Sequence, residues 1–227
     1  MNALQRVFMR CAYLPALRAV GRRRLRRLVL ERLDGVPLLV LPDVFHPTVF
    51  LSSALLVRTL AKRVPAGGDT GRALDMGTGS GVGAVFAARH GYRVTAVDIN
   101  PEAVRCARIN ALLNHLDDRI EAREGDLFAP VEGETFDLVL FNPPFFRGTP
   151  KDALDQAWRA TDVLERFAAG LPAALTPEGR ALIVLSSDGD EAGLLTALQA
   201  VNMVTTPVAQ RDFGNGILTV YAAHLPK

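Results

Sequence analysis

The sequence predicts a doubly wound, Rossmann-like α/β domain: a mostly parallel seven-stranded sheet, an antiparallel C-terminal hairpin and a short N-terminal helical and hairpin extension. Three observations predict it. After Gly71, short apolar runs alternate with segments of helical period, the pattern of a parallel sheet covered on both faces. A glycine-rich stretch, Gly77-Thr78-Gly79-Ser80-Gly81, separates the first such run from the first such helix. The 227 residues, 49% hydrophobic and 22% charged, suit one domain with a substantial core.

Taken in order, residues 2–20 set Leu4, Val7, Phe8, Cys11, Leu14 and Leu17 at helical spacing, and Pro15 makes two short helices as good a reading as one. Leu25–Leu33 and Val36–Leu41 flank Asp34-Gly35, a strong hairpin signal. Pro42 and Pro47 bracket Asp43-Val44-Phe45-His46, and an apolar helix follows from about Thr48 to Ala61. Val64–Gly71 is a glycine- and proline-bearing linker. It divides a basic head, hairpin and lead-in helix (1–64) from the core (65–227).

In the core, strands are predicted at Arg72–Met76, Tyr92–Val97, Ile120–Glu124, Phe136–Phe141 and Arg180–Ser186. Helices are predicted at Val82–His90, Pro101–Leu113, Asp152–Leu175 and Glu191–Ala200. Pro101 suits a first helical turn, where its missing N–H costs nothing. Leu138–Phe141 is apolar at every position, as a strand buried on both faces must be. Val204–Arg211 and Ile217–His224, joined through Gly214-Asn215-Gly216, form the antiparallel edge.

Charge is uneven along the chain. Residues 1–30 hold eight arginines and no acid, whereas the rest carries 18 basic and 24 acidic side chains, a net −6 beneath an overall +2. Such a head suits an anionic partner (RNA, an acidic protein or a lipid surface) or is simply a solvated helix face. Arginines interrupt its apolar stretches, so it does not read as a secretory signal, and no run of about 18 apolar residues occurs. Two distant cysteines, Cys11 and Cys106, and four scattered histidines argue against a disulfide framework and a metal cluster. They fit a reducing, cytoplasmic compartment.

Ligands of doubly wound sheets bind beyond the carboxyl ends of the strands, near the point where strand order reverses. Asp75-Met76-Gly77-Thr78-Gly79-Ser80-Gly81-Val82-Gly83 falls at such an end. Its glycines allow a tight turn and close approach to the backbone, so Gly77, Thr78, Gly79 and Gly81 are candidate cofactor contacts. The frame Gly79-x-Gly81-x-x-Ala84 also fits a dinucleotide fingerprint, which keeps a nicotinamide-dependent oxidoreductase as an alternative. Asp75 separates the two. A carboxylate at this mouth repels a pyrophosphate and suits a cationic ligand such as S-adenosylmethionine, which carries a sulfonium and an ammonium. Asp98, followed by Ile99, ends the second strand 21 residues after Gly77, where a carboxylate accepts from both ribose hydroxyls. Asn100 is the better cap for the helix at Pro101, which leaves Asp98 to the ligand. Asp126, with Leu127, follows the third strand and is either an adenine contact or a turn residue.

The most specific piece is Asn142-Pro143-Pro144-Phe145, at the end of the buried fourth strand. Read blandly, it is a turn that stops a strand. However, Asn142 directly follows Leu138–Phe141, so its amide lies at the active edge of the sheet. Pro143 and Pro144 stiffen the backbone and lack N–H groups, leaving a loop rich in acceptors, which is what an –NH₂ donor needs. Phe145 offers a flat face to a planar amide or base. Asn142, Pro143 and Phe145 are therefore the catalytic candidates, Asn142 also counting as a cofactor contact. His46, Pro144, Phe145 and Phe146 are the substrate candidates.

Together these residues resemble the class I S-adenosylmethionine-dependent methyltransferases, and within them the N-methyltransferases with an Asn/Asp-Pro-Pro-aromatic signature. These include the HemK family, which methylates glutamine in release factors, and enzymes acting on amino groups of nucleobases. The similarity runs over about residues 36–224 and is carried by Val44-Phe45-His46-Pro47, Asp98-Ile99-Asn100-Pro101 and Phe141-Asn142-Pro143-Pro144-Phe145. It implies a cofactor pocket lined by Asp75, Gly77, Gly79, Asp98 and Asp126. It also implies an acceptor nitrogen held by the Asn142 side-chain oxygen and the Pro143 carbonyl. Two positions depart from the HemK pattern: Phe145 stands where tyrosine is usual, and His46 where an acidic residue precedes the proline. The acceptors implied are a protein glutamine or an RNA base, with a small molecule as a further candidate. A relative that binds RNA or membrane without catalysis is the remaining alternative.

Overall fold

The computed structural model describes residues 27–48, 51–64, 70–149, 157–213 and 216–226. The helical spacing of residues 2–20, and every arginine of the head except Arg27, lie outside them. β1 (Val29–Leu33) and β2 (Val36–Val40) form the expected hairpin. Asp34 and Gly35 both take positive φ, 48° and 84°, as a two-residue turn of matching twist requires. α1 (Leu51–Arg63) follows.

The alternating core then runs β3 (Arg72–Met76), α2 (Val82–Arg89), β4 (Arg93–Asp98), α3 (Pro101–Leu113), β5 (Ile120–Glu124) and β6 (Phe136–Phe141). Two short strands, β7 (Phe146–Arg147) and β8 (Arg159–Ala160), pair with each other. α4 (Val163–Ala174), β9 (Leu175–Ser186), α5 (Glu191–Ala200), β10 (Val204–Asp212) and β11 (Ile217–His224) complete the chain. Of the helix predicted over Asp152–Leu175, residues 152–156 lie outside the described ones, and the described part is helical over Val163–Ala174. Among its earlier residues, Arg159 and Ala160 instead pair with β7, so tertiary pairing overrides local helix propensity there.

Seven strands form one sheet in the order β10-β11-β9-β6-β3-β4-β5, parallel except that β11 runs against both its neighbours. The order reverses between β3 and β6, which defines the switch point. Period-two alternation sends neighbouring side chains into two separate cores. Ala73, Leu138, Leu140, Leu182 and Val184 face a cluster shared with the hairpin, α1, α2 and α3. Leu74, Met76, Val139, Phe141 and Ile183 face α4 and α5, where Phe141 stacks on Phe167 with ring centroids 4.0 Å apart. The hairpin and α1 therefore share a core with the sheet, although the glycine-bearing linker separates them in sequence. Among the described residues, no helix is long and apolar enough to cross a membrane.

Candidate cofactor and acceptor site

Register brings the loops together. Met76 of β3 pairs with Phe141 of β6 and with Val97 of β4, and Asp98 pairs with Glu124 of β5. Gly77 and Asn142 thus leave the sheet side by side, one strand spacing of roughly 5 Å apart. Asp98 and Asp126 follow on the other side of the glycine loop.

The loop turns three times through the left-handed region, with φ of 61° at Gly77, 54° at Gly79 and 79° at Gly81. Gly81 is doubly constrained, because a Cβ there would come within 2.8 Å of the Ala107 Cα on α3. The Gly79 N–H donates to Asp98 Oδ2 at 2.8 Å, and the Asn100 N–H donates to Asp98 Oδ1 at 2.9 Å. Burial raises the Asp98 carboxyl above its usual range, and these backbone donors oppose that rise. Asn100 caps α3 by accepting from the Glu102 N–H at 3.0 Å, so the cap does not use the Asp98 carboxylate. Ile99 beside it is 53% exposed, an apolar surface at the strand ends.

Asp75 is not at the mouth. It lies 5% exposed beneath the loop, on the face of β3 that α2 covers. Its Oδ2 accepts from the Thr78 hydroxyl at 2.5 Å and from the Ala84 N–H in the first turn of α2 at 2.8 Å. Thr78 is correspondingly buried, with its hydroxyl turned away from the cleft. Burial pushes the Asp75 carboxyl up to about 7 against these two donors. The residue that makes room for it is Gly83, where a Cβ would collide with the carboxylate itself. Asp75 thus organises the glycine loop from behind.

At the Asn-Pro-Pro loop, Asn142 is partly exposed, and its Nδ2 donates to Ser53 Oγ on α1 at 3.1 Å. The Phe145 carbonyl accepts from the Asp190 N–H at 3.0 Å, and Asp190 and Glu165 together hold Arg147 just after the loop. Phe146 is 39% exposed, and its N–H donates to the Trp158 carbonyl at 2.8 Å. The Trp158 ring lies 5.1 Å from that of Phe45, which itself abuts Gly79. His46 is fully buried, with Nδ1 3.2 Å from the Thr48 hydroxyl and Nε2 3.8 Å from the Glu31 carboxylate. Those contacts bind the hairpin to the lead-in segment, so His46 does not face an acceptor. Asp126 pairs with Arg166 of α4 at 2.5 Å through Oδ2, and Leu127 packs against the α4–α5 core.

One residue that the motif reading missed is Asn110. Fully buried on α3, it accepts from the Leu39 N–H at 2.7 Å and donates to the carbonyls of Leu39 at 2.6 Å and Ser80 at 2.8 Å. In a hairpin closed at Leu33–Val36, alternation turns the polar groups of Pro37 and Leu39 away from β1. Asn110 takes those of Leu39, and Asn114 takes the Pro37 carbonyl at 3.0 Å. Two side-chain amides therefore close the open edge of β2, and the same contact supports the glycine loop through Ser80.

The strand order, with a glycine loop after β3 and an Asn-Pro-Pro loop after β6 at the switch point, is that of the class I methyltransferase fold. The chain belongs to the methyltransferase small domain family, whose model matches residues 36–213. It is 37% identical over 139 residues to a ribosomal RNA small subunit methyltransferase C from Alcanivorax borkumensis, covering 61% of this chain and 39% of that relative. It is 32% identical over 164 residues to a putative protein N5-glutamine methyltransferase from Methanocaldococcus jannaschii, covering 68% and 78% respectively. In fold it is similar to the T. thermophilus 16S rRNA N2 G1207 methyltransferase, solved with AdoMet and guanosine. That match has a TM-score of 0.69 at 24% identity and covers 88% of this chain and 50% of that one.

Proposed function

We propose that this chain is an S-adenosylmethionine-dependent N-methyltransferase acting on a planar nitrogen, either an exocyclic amino group of an RNA base or a protein glutamine amide. The pairing of Met76 with Phe141 carries the reading, because it sets the glycine loop and the Asn142 loop next to one another. The residues present fit the cofactor. The Asp98 carboxylate accepts the Gly79 N–H on one oxygen and the Asn100 N–H on the other, with the Ile99 N–H as a further donor, and its remaining acceptor capacity suits a ribose hydroxyl. Ile99 offers an apolar surface to adenine, and Asp126 retains Oδ1 for its amino group. When bound, S-adenosylmethionine supplies an electrophilic methyl group on sulfur.

The chain's own part is positioning. Asn142 Oδ1 and the Pro143 carbonyl accept the two N–H bonds of the acceptor and aim its lone pair, while Phe145 stacks on its plane. Holding the partners so supplies several kcal/mol of barrier reduction without a general base, the proton leaving to water after transfer. The arginine-rich head supplies an anionic-partner contact, which favours RNA as the first acceptor to try. A cytoplasmic location suits the free, buried Cys106.

The experiment is transfer of tritiated methyl from S-adenosylmethionine to unmodified ribosomal and transfer RNA transcripts, and in parallel to a glutamine-bearing peptide. Label in a transcript or in the peptide supports the reading and names the acceptor class. Failure to bind S-adenosylhomocysteine in calorimetry, with binding of NADH instead, overturns it.

A further inference from the structure

Gly189 stands in the turn between β9 and α5, and its φ does not lie in the left-handed region, so its own backbone does not call for glycine. Its neighbours do. A Cβ there would lie 2.5 Å from the Phe145 carbonyl oxygen and 2.9 Å from the Phe145 Cβ, separations that a real Cβ does not tolerate. Both atoms are fixed parts of the Asn-Pro-Pro loop, and neither swings aside as the tip of a long side chain would. The next residue completes the contact, because the Asp190 N–H donates to the same Phe145 carbonyl at 3.0 Å. Asp190 is the cap of α5, so that N–H has no partner within the helix. Its carboxylate accepts from the Gly193 N–H at 3.1 Å and pairs with Arg147, two residues beyond Phe145. The loop brings little of its own to hold this place. Pro143 and Pro144 stiffen it but have no N–H with which to anchor it, and a stiff loop passes a displacement of Phe145 on to Asn142.

We propose that the Gly189-Asp190 turn is the seat of the Asn142–Phe145 loop. Gly189 supplies the room and Asp190 the hydrogen bond that fix where the loop stands, and with it the aim of Asn142 and the plane of Phe145 at the acceptor nitrogen. This rests on the N-methyl transfer reading above. Both are positioning residues and act only through the loop.

The test pairs Gly189→Ala with Gly179→Ala. Gly179 lies in β9 at the opposite end of β6, where a Cβ would come within 2.7 Å of the Phe136 carbonyl oxygen. Each methyl group therefore pushes on a backbone carbonyl, one at the loop and one far from it. With the RNA transcript or peptide labelled by wild type, Gly189→Ala lowers kcat roughly tenfold or more, as a small misalignment of the reacting groups does, and leaves the Kd for S-adenosylhomocysteine within about twofold. Gly179→Ala leaves kcat within about twofold, because its collision is remote from the site. Equal losses in the two variants mark a general loss of stability and overturn the proposal, as does an unchanged kcat in Gly189→Ala. Hydrogen exchange of the Asp190 amide, followed by ¹⁵N NMR, reads the seat without any activity. With no helical partner, that amide owes its protection to the Phe145 carbonyl. It exchanges slowly in wild type and Gly179→Ala, and at least about tenfold faster in Gly189→Ala. Fast exchange in wild type overturns the seat outright, even where Gly189→Ala does not fold. Absence of methyl transfer by wild type defeats the functional reading instead, while exchange still judges the contact.

Discussion

Replacing Asn110 by alanine tests the coupling between hairpin and glycine loop. The substitution removes one acceptor and one doubly used donor from a fully buried site, leaving the Leu39 N–H and the Ser80 carbonyl without their partners. The Leu39 carbonyl keeps a contact to the Cys106 thiol at 3.2 Å, a weak donor. Each buried group left unsatisfied costs roughly 1–3 kcal/mol. Two such groups give ~2–6 kcal/mol, the lower end applying if water enters the vacated space. In a domain of this size, at about 2–4 °C per kcal/mol, that corresponds to a fall in Tm of about 4–24 °C. A second signature is expected, weaker S-adenosylhomocysteine binding, since the Ser80 carbonyl belongs to the glycine loop proposed to meet the cofactor. Thermal unfolding by circular dichroism and calorimetric titration measure the two effects. A Tm within about 2 °C of wild type would refute the reasoning, because orphaned polar groups of this burial cannot be nearly free.

Asn142→Ala is expected to reduce methyl transfer at least ~100-fold while S-adenosylhomocysteine affinity stays near wild type in calorimetry, since the lost contact orients the acceptor. Asp98→Ala is expected to weaken S-adenosylhomocysteine binding by roughly 1.5–3 kcal/mol, the range of hydrogen bonds to a charged group; an unchanged Kd removes Asp98 from the ribose. Because burial holds Asp75 up to about 7, the folded chain keeps a proton that the unfolded chain releases near pH 4. Stability therefore falls as pH rises from about 4 to 7, by at most ~4 kcal/mol, and Asp75→Asn flattens that slope in urea titrations. Replacing Arg22, Arg23, Arg24, Arg26 and Arg27 together is expected to weaken RNA binding and flatten its salt dependence in filter binding, each lost phosphate contact reducing the slope by about 0.7.

Elements whose signals are local were legible in the sequence. Pro101–Leu113 carries proline at its first turn and an asparagine cap before it, and Phe136–Phe141 ends in an apolar run, so both match the structure at each end. The hairpin followed from Asp34-Gly35 for the same reason. Asp75 departs from the expectation because nearness to the glycines does not entail exposure. The correcting signal was present: on a strand, Asp75 shares its face with Ala73, and a helix beginning a few residues later must cover that face. Gly83, inside the helix and outside any dinucleotide frame, was the trace of the same packing. His46 and Asn110 were beyond local reading. The partners of His46 include Glu31, on the far arm of the hairpin, and those of Asn110 include Leu39, 71 residues away.

The interior position of Asn110 nevertheless carries a general lesson. An amide between Ala107 and Ala111, on the small-residue face of a helix, cannot be solvated where it lies. It must therefore serve backbone groups that something else has left open. Here those groups are the spare edge of β2 and the Ser80 carbonyl. The hairpin and the glycine loop thus share one buried side chain, and the proposed coupling between them is what Asn110→Ala tests.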